Sequence, residues 1–127
     1  MSMMAAIFLA AMPICAAGPR INCVVDGDTV WLGGEKIRLA GIDAPEVHDP
    51  KCGRTELDLG YAATARLAEL LSAEPIVIYR IGTDRYGRTL ADITAGGHDV
   101  GTLLVAEGMA RNWPDGPRFW CRAGPKG

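Results

Sequence analysis

Short apolar runs separated by turn residues dominate the first third of the chain. Ile21 to Val25 is apolar and β-prone, Asp26-Gly27 is a tight-turn dipeptide, and Thr29 to Leu32 forms a second β-prone run. Gly33-Gly34 offers another hairpin turn before Lys36 to Ile42, where Ile37 and Leu39 alternate with Lys36, Arg38 and Ala40. This period of two predicts three antiparallel strands joined as a meander. Pro45, Pro50 and Gly53 make residues 44–54 a loop. Beyond it, Leu57, Tyr61, Ala65, Ala68 and Leu71 recur at helical spacing and predict a helix that buries that face.

Glu74-Pro75 ends the helical pattern, and Ile76 to Ile81 is again β-prone. Asp84 to Gly87 is rich in turn residues, and Leu90 to Thr94 reads as the returning strand before Gly96-Gly97. Asp99 can cap a second helix in which Val100, Leu103, Leu104 and Glu107 trace one stripe, with Gly108 closing it. The order is β-β-β-α-β-β-α. From about residue 109 the tail is rich in Pro and Gly and carries Trp113, Phe119 and Trp120, which predicts irregular structure. Five short strands with a helix between the third and fourth suit a small α+β fold, mainly β with helices. Its expected core is a five-stranded barrel of the oligonucleotide-binding (OB) type.

Composition narrows the choice of partners. The 127 residues suffice for one domain, and 49% hydrophobic residues argue against disorder. Lys plus Arg total 13 against 15 for Asp plus Glu, a net charge of −2, which excludes a strongly basic nucleic-acid coating protein. Any phosphate binding must come from a few placed side chains or from metal. Residues 1–19 carry no charged side chain, and Met3 to Met12 is apolar throughout. That stretch is short for a membrane span, which needs about 17–25 residues. Residues 1–17 read as a signal peptide cleaved after Ala17, as an uncleaved N-terminal anchor, or as an apolar arm packed on the domain, although no Lys or Arg precedes the apolar run. Residues 18–127 then form the folded domain.

Cys15, Cys23, Cys52 and Cys121 fit an exported protein, because an oxidising compartment lets thiols pair and persist. None are spaced C-x-x-C, and His48 and His98 sit in no ligand-like spacing with them, which argues against zinc. Cys52 with Cys121 is the favoured bridge, stapling the tail to the loop. Cys15 with Cys23 requires that Cys15 survive processing.

The candidate chemistry lies in two places. Asp28 opens the second strand and Asp43 ends the third, so a meander can bring both carboxylates to one rim, where hard oxygens suit Ca²⁺. Asp26 is assigned to the turn, and the pattern fails as an EF-hand because no glutamate stands twelve residues from its start. Glu46 follows Asp43 across Ala44-Pro45, where proline restricts the chain. Arg38 lies on the third strand, and Arg88 ends the cluster Asp84-Arg85-Tyr86-Gly87-Arg88. Two guanidiniums, a free carboxylate and a divalent ion form a coherent set for phosphodiester hydrolysis. Arginine suits the task because its fork stays charged and donates two hydrogen bonds to phosphate. Loss of either arginine is expected to lower turnover with little unfolding.

Three segments together resemble a known family. Val25-Asp26-Gly27-Asp28-Thr29-Val30, then Ile37-Arg38-Leu39 leading to Gly41-Ile42-Asp43-Ala44-Pro45-Glu46, and finally Asp84-Arg85-Tyr86-Gly87-Arg88 are similar to the staphylococcal nuclease (thermonuclease) family. The similarity runs from about Ile21 to Met109. It implies an OB barrel with helices and a Ca²⁺-dependent phosphodiesterase that cuts DNA or RNA, typically leaving 3′-phosphates. By motif position, Asp28 and Asp43 resemble the metal carboxylates, and Ala44 stands where the family supplies a backbone carbonyl. Arg38 and Arg88 resemble the phosphate-binding and transition-state arginines, and Glu46 the proposed general base. Tyr86 and Arg85 resemble substrate contacts.

The chain departs from well-known members after the second helix, where their third helix is expected to be absent here. Trp113 and Trp120 are aromatic residues that either stack a nucleobase or anchor a local core. The resemblance implies a nucleic-acid substrate, with single strands preferred, a monomer without a stable protein partner, and membrane contact only through an uncleaved N-terminal segment. Location would be secreted, periplasmic or envelope-associated. The rival reading is a catalytically inactive nucleic-acid or protein-binding module on the same fold.

Overall fold

A computed structural model describes residues 12–121. The expected leader or anchor falls largely on residues 1–11, outside the described residues, as do residues 122–127. Strands β1 (Cys23–Asp26), β2 (Thr29–Leu32) and β3 (Glu35–Leu39) form the expected antiparallel meander. β3 then runs parallel to β6 (Thr89–Ala95), which is antiparallel to β5 (Ile76–Thr83). The order β1-β2-β3-β6-β5 is that of a five-stranded OB sheet, and α1 (Gly53–Leu70) lies between the two halves in sequence. Val24, Val30, Ile37, Leu39, Ala91 and Ile93 face inward and meet Leu67 from α1, Leu71 at its C-terminal cap, and Val100 and Leu104 from α2 (Val100–Ala106).

Three sequence expectations need correction. The third strand does not reach Ile42. Gly41, at φ 73°, turns the chain, and Ile42–Asp43 leave the sheet as β4. The short β7 (His98–Asp99) adds to β6, and β4 pairs with β8 (Arg111–Asn112), so part of the supposedly irregular tail is ordered against Asp43. The buried face of α1 is Glu56, Gly60, Ala63, Thr64, Leu67 and Ala68, whereas Tyr61 is exposed. Close approach selects this face. A Cβ on Gly60 would lie 2.9 Å from the Glu46 carbonyl oxygen, and one on Gly27 would lie 2.8 Å from the Cβ atoms of Ala44 and Ala63. Only small residues let helix, first hairpin and loop meet this tightly.

Asp99 caps α2, its Oδ1 accepting from the Thr102 N–H at 3.2 Å. Two disulfides are present, Cys15–Cys23 and Cys52–Cys121, with Cα–Cα distances of 4.8 and 5.1 Å. Pro13 and Cys15 hydrogen-bond to Val24, which lays the described start of the chain along β1. At the other end, Phe119–Cys121 forms one 3₁₀ turn that buries Trp120. Trp120 is therefore a core anchor, whereas Trp113 is exposed.

Candidate active site

The β1–β2 turn and the β4 segment bring acidic groups to one rim. Asp28 is 3% exposed, lying in the packed turn immediately before β2. Its Oδ2 accepts the Ala44 N–H at 2.8 Å and its Oδ1 accepts the Thr29 hydroxyl at 3.0 Å, fixing the carboxylate against the start of the loop. Arg38 reaches the same place from β3. Its Nη1 donates to the carbonyls of Leu39 and Ile42, at 2.8 and 2.9 Å. Its Nη2 lies 3.5 Å from Asp28 Oδ2 and 3.8 Å from Asp43 Oδ1. One guanidinium thus spans both carboxylates and holds the β3–β4 turn.

Arg88 is placed by the β5–β6 hairpin. Asp84 Oδ1 accepts the N–H groups of Tyr86 and Arg88, and its Oδ2 accepts Arg88 Nε at 2.7 Å. Arg38 and Arg88 line one cavity of about 600 Å³, together with Arg85, Tyr86, Leu90 and Trp113. The guanidiniums of Arg85 and Arg88 lie 5.0 and 5.4 Å from the Tyr86 ring centroid.

Glu46 sits at the edge of the acidic group. Burial pushes its carboxyl above the usual range, Asp28, Asp43 and Glu56 push it further, and Arg38 opposes them. The Asp28 carboxyl is also raised, first by burial and then by the neighbouring Asp26 charge. Both shifts are led by burial, with like charges adding to it and Arg38 opposing it. Hard oxygens gathered at one rim suit a divalent cation, and Asp28, Asp43 and the Ala44 carbonyl are the groups that could hold one. A triple of ligand-type atoms within 4.8 Å occurs elsewhere, at Cys52, Glu56 and Cys121. Its two sulfurs are bonded to each other, so it is no metal site.

The structure thus brings Asp28, Asp43, Ala44, Arg38 and Glu46 into one electrostatic group, and Arg38, Arg85, Tyr86 and Arg88 around one cavity. Two contributors escaped the sequence analysis. Glu56 is 3% exposed and accepts the N–H groups of Glu46 and Cys52, both at 2.9 Å, so it clamps the two ends of the loop that carries Glu46. Its sign in the sequence is an acidic residue in the first turn of a helix, which is ordinarily a dipole effect. Arg111 donates from Nε to Asp43 Oδ2 at 2.8 Å and from Nη1 to the Gly116 carbonyl at 2.7 Å. Nothing local in the tail marked it.

A profile of the Staphylococcal nuclease homologue family matches residues 36–117. Among curated relatives, the succinoglycan biosynthesis protein ExoI of Rhizobium meliloti (strain 1021) is 35% identical over 107 residues, covering 75% of this chain and 53% of that protein. An uncharacterized endonuclease of Escherichia coli O157:H7 is 30% identical over 111 residues, covering 82% of this chain and 67% of that one. The thermonuclease of Staphylococcus intermedius is 33% identical over 97 residues, covering 72% of this chain and 56% of that one. The chain spans about half the length of the first and third of these relatives. With the profile covering well over half of its residues and the sheet order matching, this chain belongs to the staphylococcal nuclease family.

Proposed function

We propose that the chain is a Ca²⁺-dependent phosphodiesterase that hydrolyses DNA or RNA and leaves 3′-phosphate ends. The observation that carries this reading is Arg38. It joins the two carboxylates at the rim and, with Arg88, lines a cavity next to them. Two fixed guanidiniums beside a basic carboxylate are what attack at phosphorus requires.

In this reading the substrate phosphate sits against Arg38 and Arg88, whose N–H groups neutralise charge as the phosphorus becomes five-coordinate. Glu46 accepts a proton from the attacking water, a role favoured by a carboxyl raised above its ordinary value by burial and like charges. The new P–O bond forms between the water oxygen and phosphorus, the P–O5′ bond breaks, and the departing 5′-oxygen takes a proton from solvent, while Glu46 returns the proton it accepted to bulk water. Asp28, Asp43 and the Ala44 carbonyl would hold Ca²⁺, which when bound supplies Lewis-acid stabilisation of phosphate charge. Tyr86, Arg85 and Trp113 offer contacts to sugar and base. Trp113 is the better stacking candidate, since it lines the cavity. We also propose export, supported by the two disulfides, and action as a monomer on single strands.

A second reading, a binding module without turnover, draws on Arg111, which with Arg38 already neutralises Asp43. One assay separates them. Single-stranded DNA is incubated with Ca²⁺ or with chelator, and the product ends are analysed. Cleavage with Ca²⁺ alone, giving 3′-phosphates, supports the enzyme. Retention of DNA without cleavage supports the module and overturns the enzyme reading.

A further inference from the structure

We propose that a second groove, built from Trp31, Lys36, Tyr86, Gly87 and Arg88, is a subsite for the neighbouring nucleotide of a single-stranded polynucleotide. This deepens the nuclease reading and rests on it for the identity of the ligand. The groove has a volume of about 500 Å³ and shares Tyr86 and Arg88 with the cavity that holds Arg38. A strand seated in that cavity therefore has a continuous path past Tyr86 into the groove.

The strand pairing explains why the groove is basic and aromatic. Trp31 on β2 stands opposite Lys36 on β3, and Thr29 stands opposite Arg38. Lys36 and Arg38 are two residues apart, so both project from the outer face of β3 while Ile37 and Leu39 enter the core. Arg38 thus begins a basic row that continues outward at Lys36, about 6.6 Å further along the strand. The Lys36 ammonium lies 5.9 Å from the Trp31 ring centroid.

Charge pairing marks Lys36 as available. Arg66, Arg80, Arg88 and Arg111 are each joined to a carboxylate, whereas Lys36 and Arg85 form no ion pair among the described residues. In a chain of net charge −2, an unpaired cation beside two aromatic rings and a phosphate-binding arginine is well placed for a polyanion. An ammonium for the phosphate and a ring for the base form a combination that tolerates any sequence in a single strand.

The test compares binding of a fluorescent oligothymidylate and of thymidine 3′,5′-bisphosphate, read by anisotropy and by competition in non-cleaving buffer. The proteins are the wild type, Lys36→Ala, Lys36→Arg and Arg54→Ala, the last removing an exposed charge from α1. Lys36→Ala is expected to weaken the oligonucleotide about tenfold and the bisphosphate less than about twofold, and to make the slope of log K against log salt shallower by about 0.7. Lys36→Arg restores most of the affinity, and Arg54→Ala changes neither ligand. Equal losses on both ligands, or unchanged oligonucleotide binding in Lys36→Ala, overturn the subsite. Cleavage is scored separately with Ca²⁺. A wild type that binds as expected but cuts nothing refutes the nuclease reading and leaves the subsite standing.

Discussion

The two arginines of the candidate site are built in differently, and their variants should differ accordingly. Arg88 contacts Asp84, which keeps two backbone N–H donors if Arg88 is truncated, so the hairpin survives. Arg88→Ala should cut turnover by about 10²–10³ while Tm barely moves, since one preorganised donor set at the phosphate is lost. Steady-state rates and a thermal melt check this together. Arg38 also binds the Leu39 and Ile42 carbonyls and is the countercharge of buried Asp28. Arg38→Ala should therefore lose activity and also about 2–3 kcal/mol of stability, because buried acceptors and a buried charge lose their partner. This departs from the expectation that either arginine could be removed with little unfolding. If both variants melt like the wild type, the structural role given to Arg38 is wrong.

Among the elements, the loop from Glu46 to Cys52 depends on α1. Glu56 holds its two ends through both carboxylate oxygens. A glutamine there has only one acceptor oxygen, so Glu56→Gln should cost about 1–3 kcal/mol for an unpaired buried N–H. It should also move the acidic limb of the pH–rate profile to lower pH. Burial is the main cause of the raised Glu46 carboxyl, but Glu56 charge contributes, and its removal lets Glu46 ionise more easily. A pH profile that does not move while stability falls would leave Glu56 with a purely structural role.

A second test at this scale concerns Glu35 at the junction of β3, β5 and β6. Its carboxylate accepts Arg80 Nε at 2.9 Å and the Thr89 hydroxyl at 2.7 Å. These bonds, led by that of Arg80, lower its pKa from 4.5 to about 2. The unfolded chain then takes up this proton at higher pH than the folded one. The contribution is present above about pH 4.5 and lost as pH falls toward 2. Solvent screening keeps it small, since the pair is exposed. Glu35→Gln should flatten the acid limb of stability between those values. Urea melts across that range measure the slope.

At the scale of the whole molecule, the described tail is tied to the site at three points. β8 pairs with β4, Arg111 grips Asp43, and the Cys52–Cys121 bridge joins the tail to the loop end beside Glu56. That bridge spans a sequence separation of 69, and closing so long a loop is worth about 4 kcal/mol in the chain-entropy estimate. Cys121→Ala should lower stability by about that amount. It should depress cleavage as well, because Trp120 loses its anchor and the loop bearing Glu46 loses a restraint. Denaturant melts with and without reductant, set beside rates, measure both effects.

Local regularities were enough to place the strands of the meander, both helices, the Asp99 cap and the hairpin that presents Arg88. Each depends on spacing, turn residues or capping within a few positions of the chain. The motifs around Asp28, Arg38, Asp43, Glu46 and Arg88 were legible for the same reason, since each is contiguous. Tertiary structure alone decided the rest. The buried face of α1 was set by where Gly60 and Ala63 allow another backbone to approach, which outweighed the periodicity of Leu57 and Tyr61. Glu56 became a clamp only because folding buried it against two N–H groups ten and four residues back along the chain. Arg111 met Asp43 across a sequence separation of 68, and no local pattern encodes such a meeting. Hydrophobic period and turn chemistry are short-range properties of a chain, whereas burial, charge pairing and close backbone contact exist only once distant segments have packed.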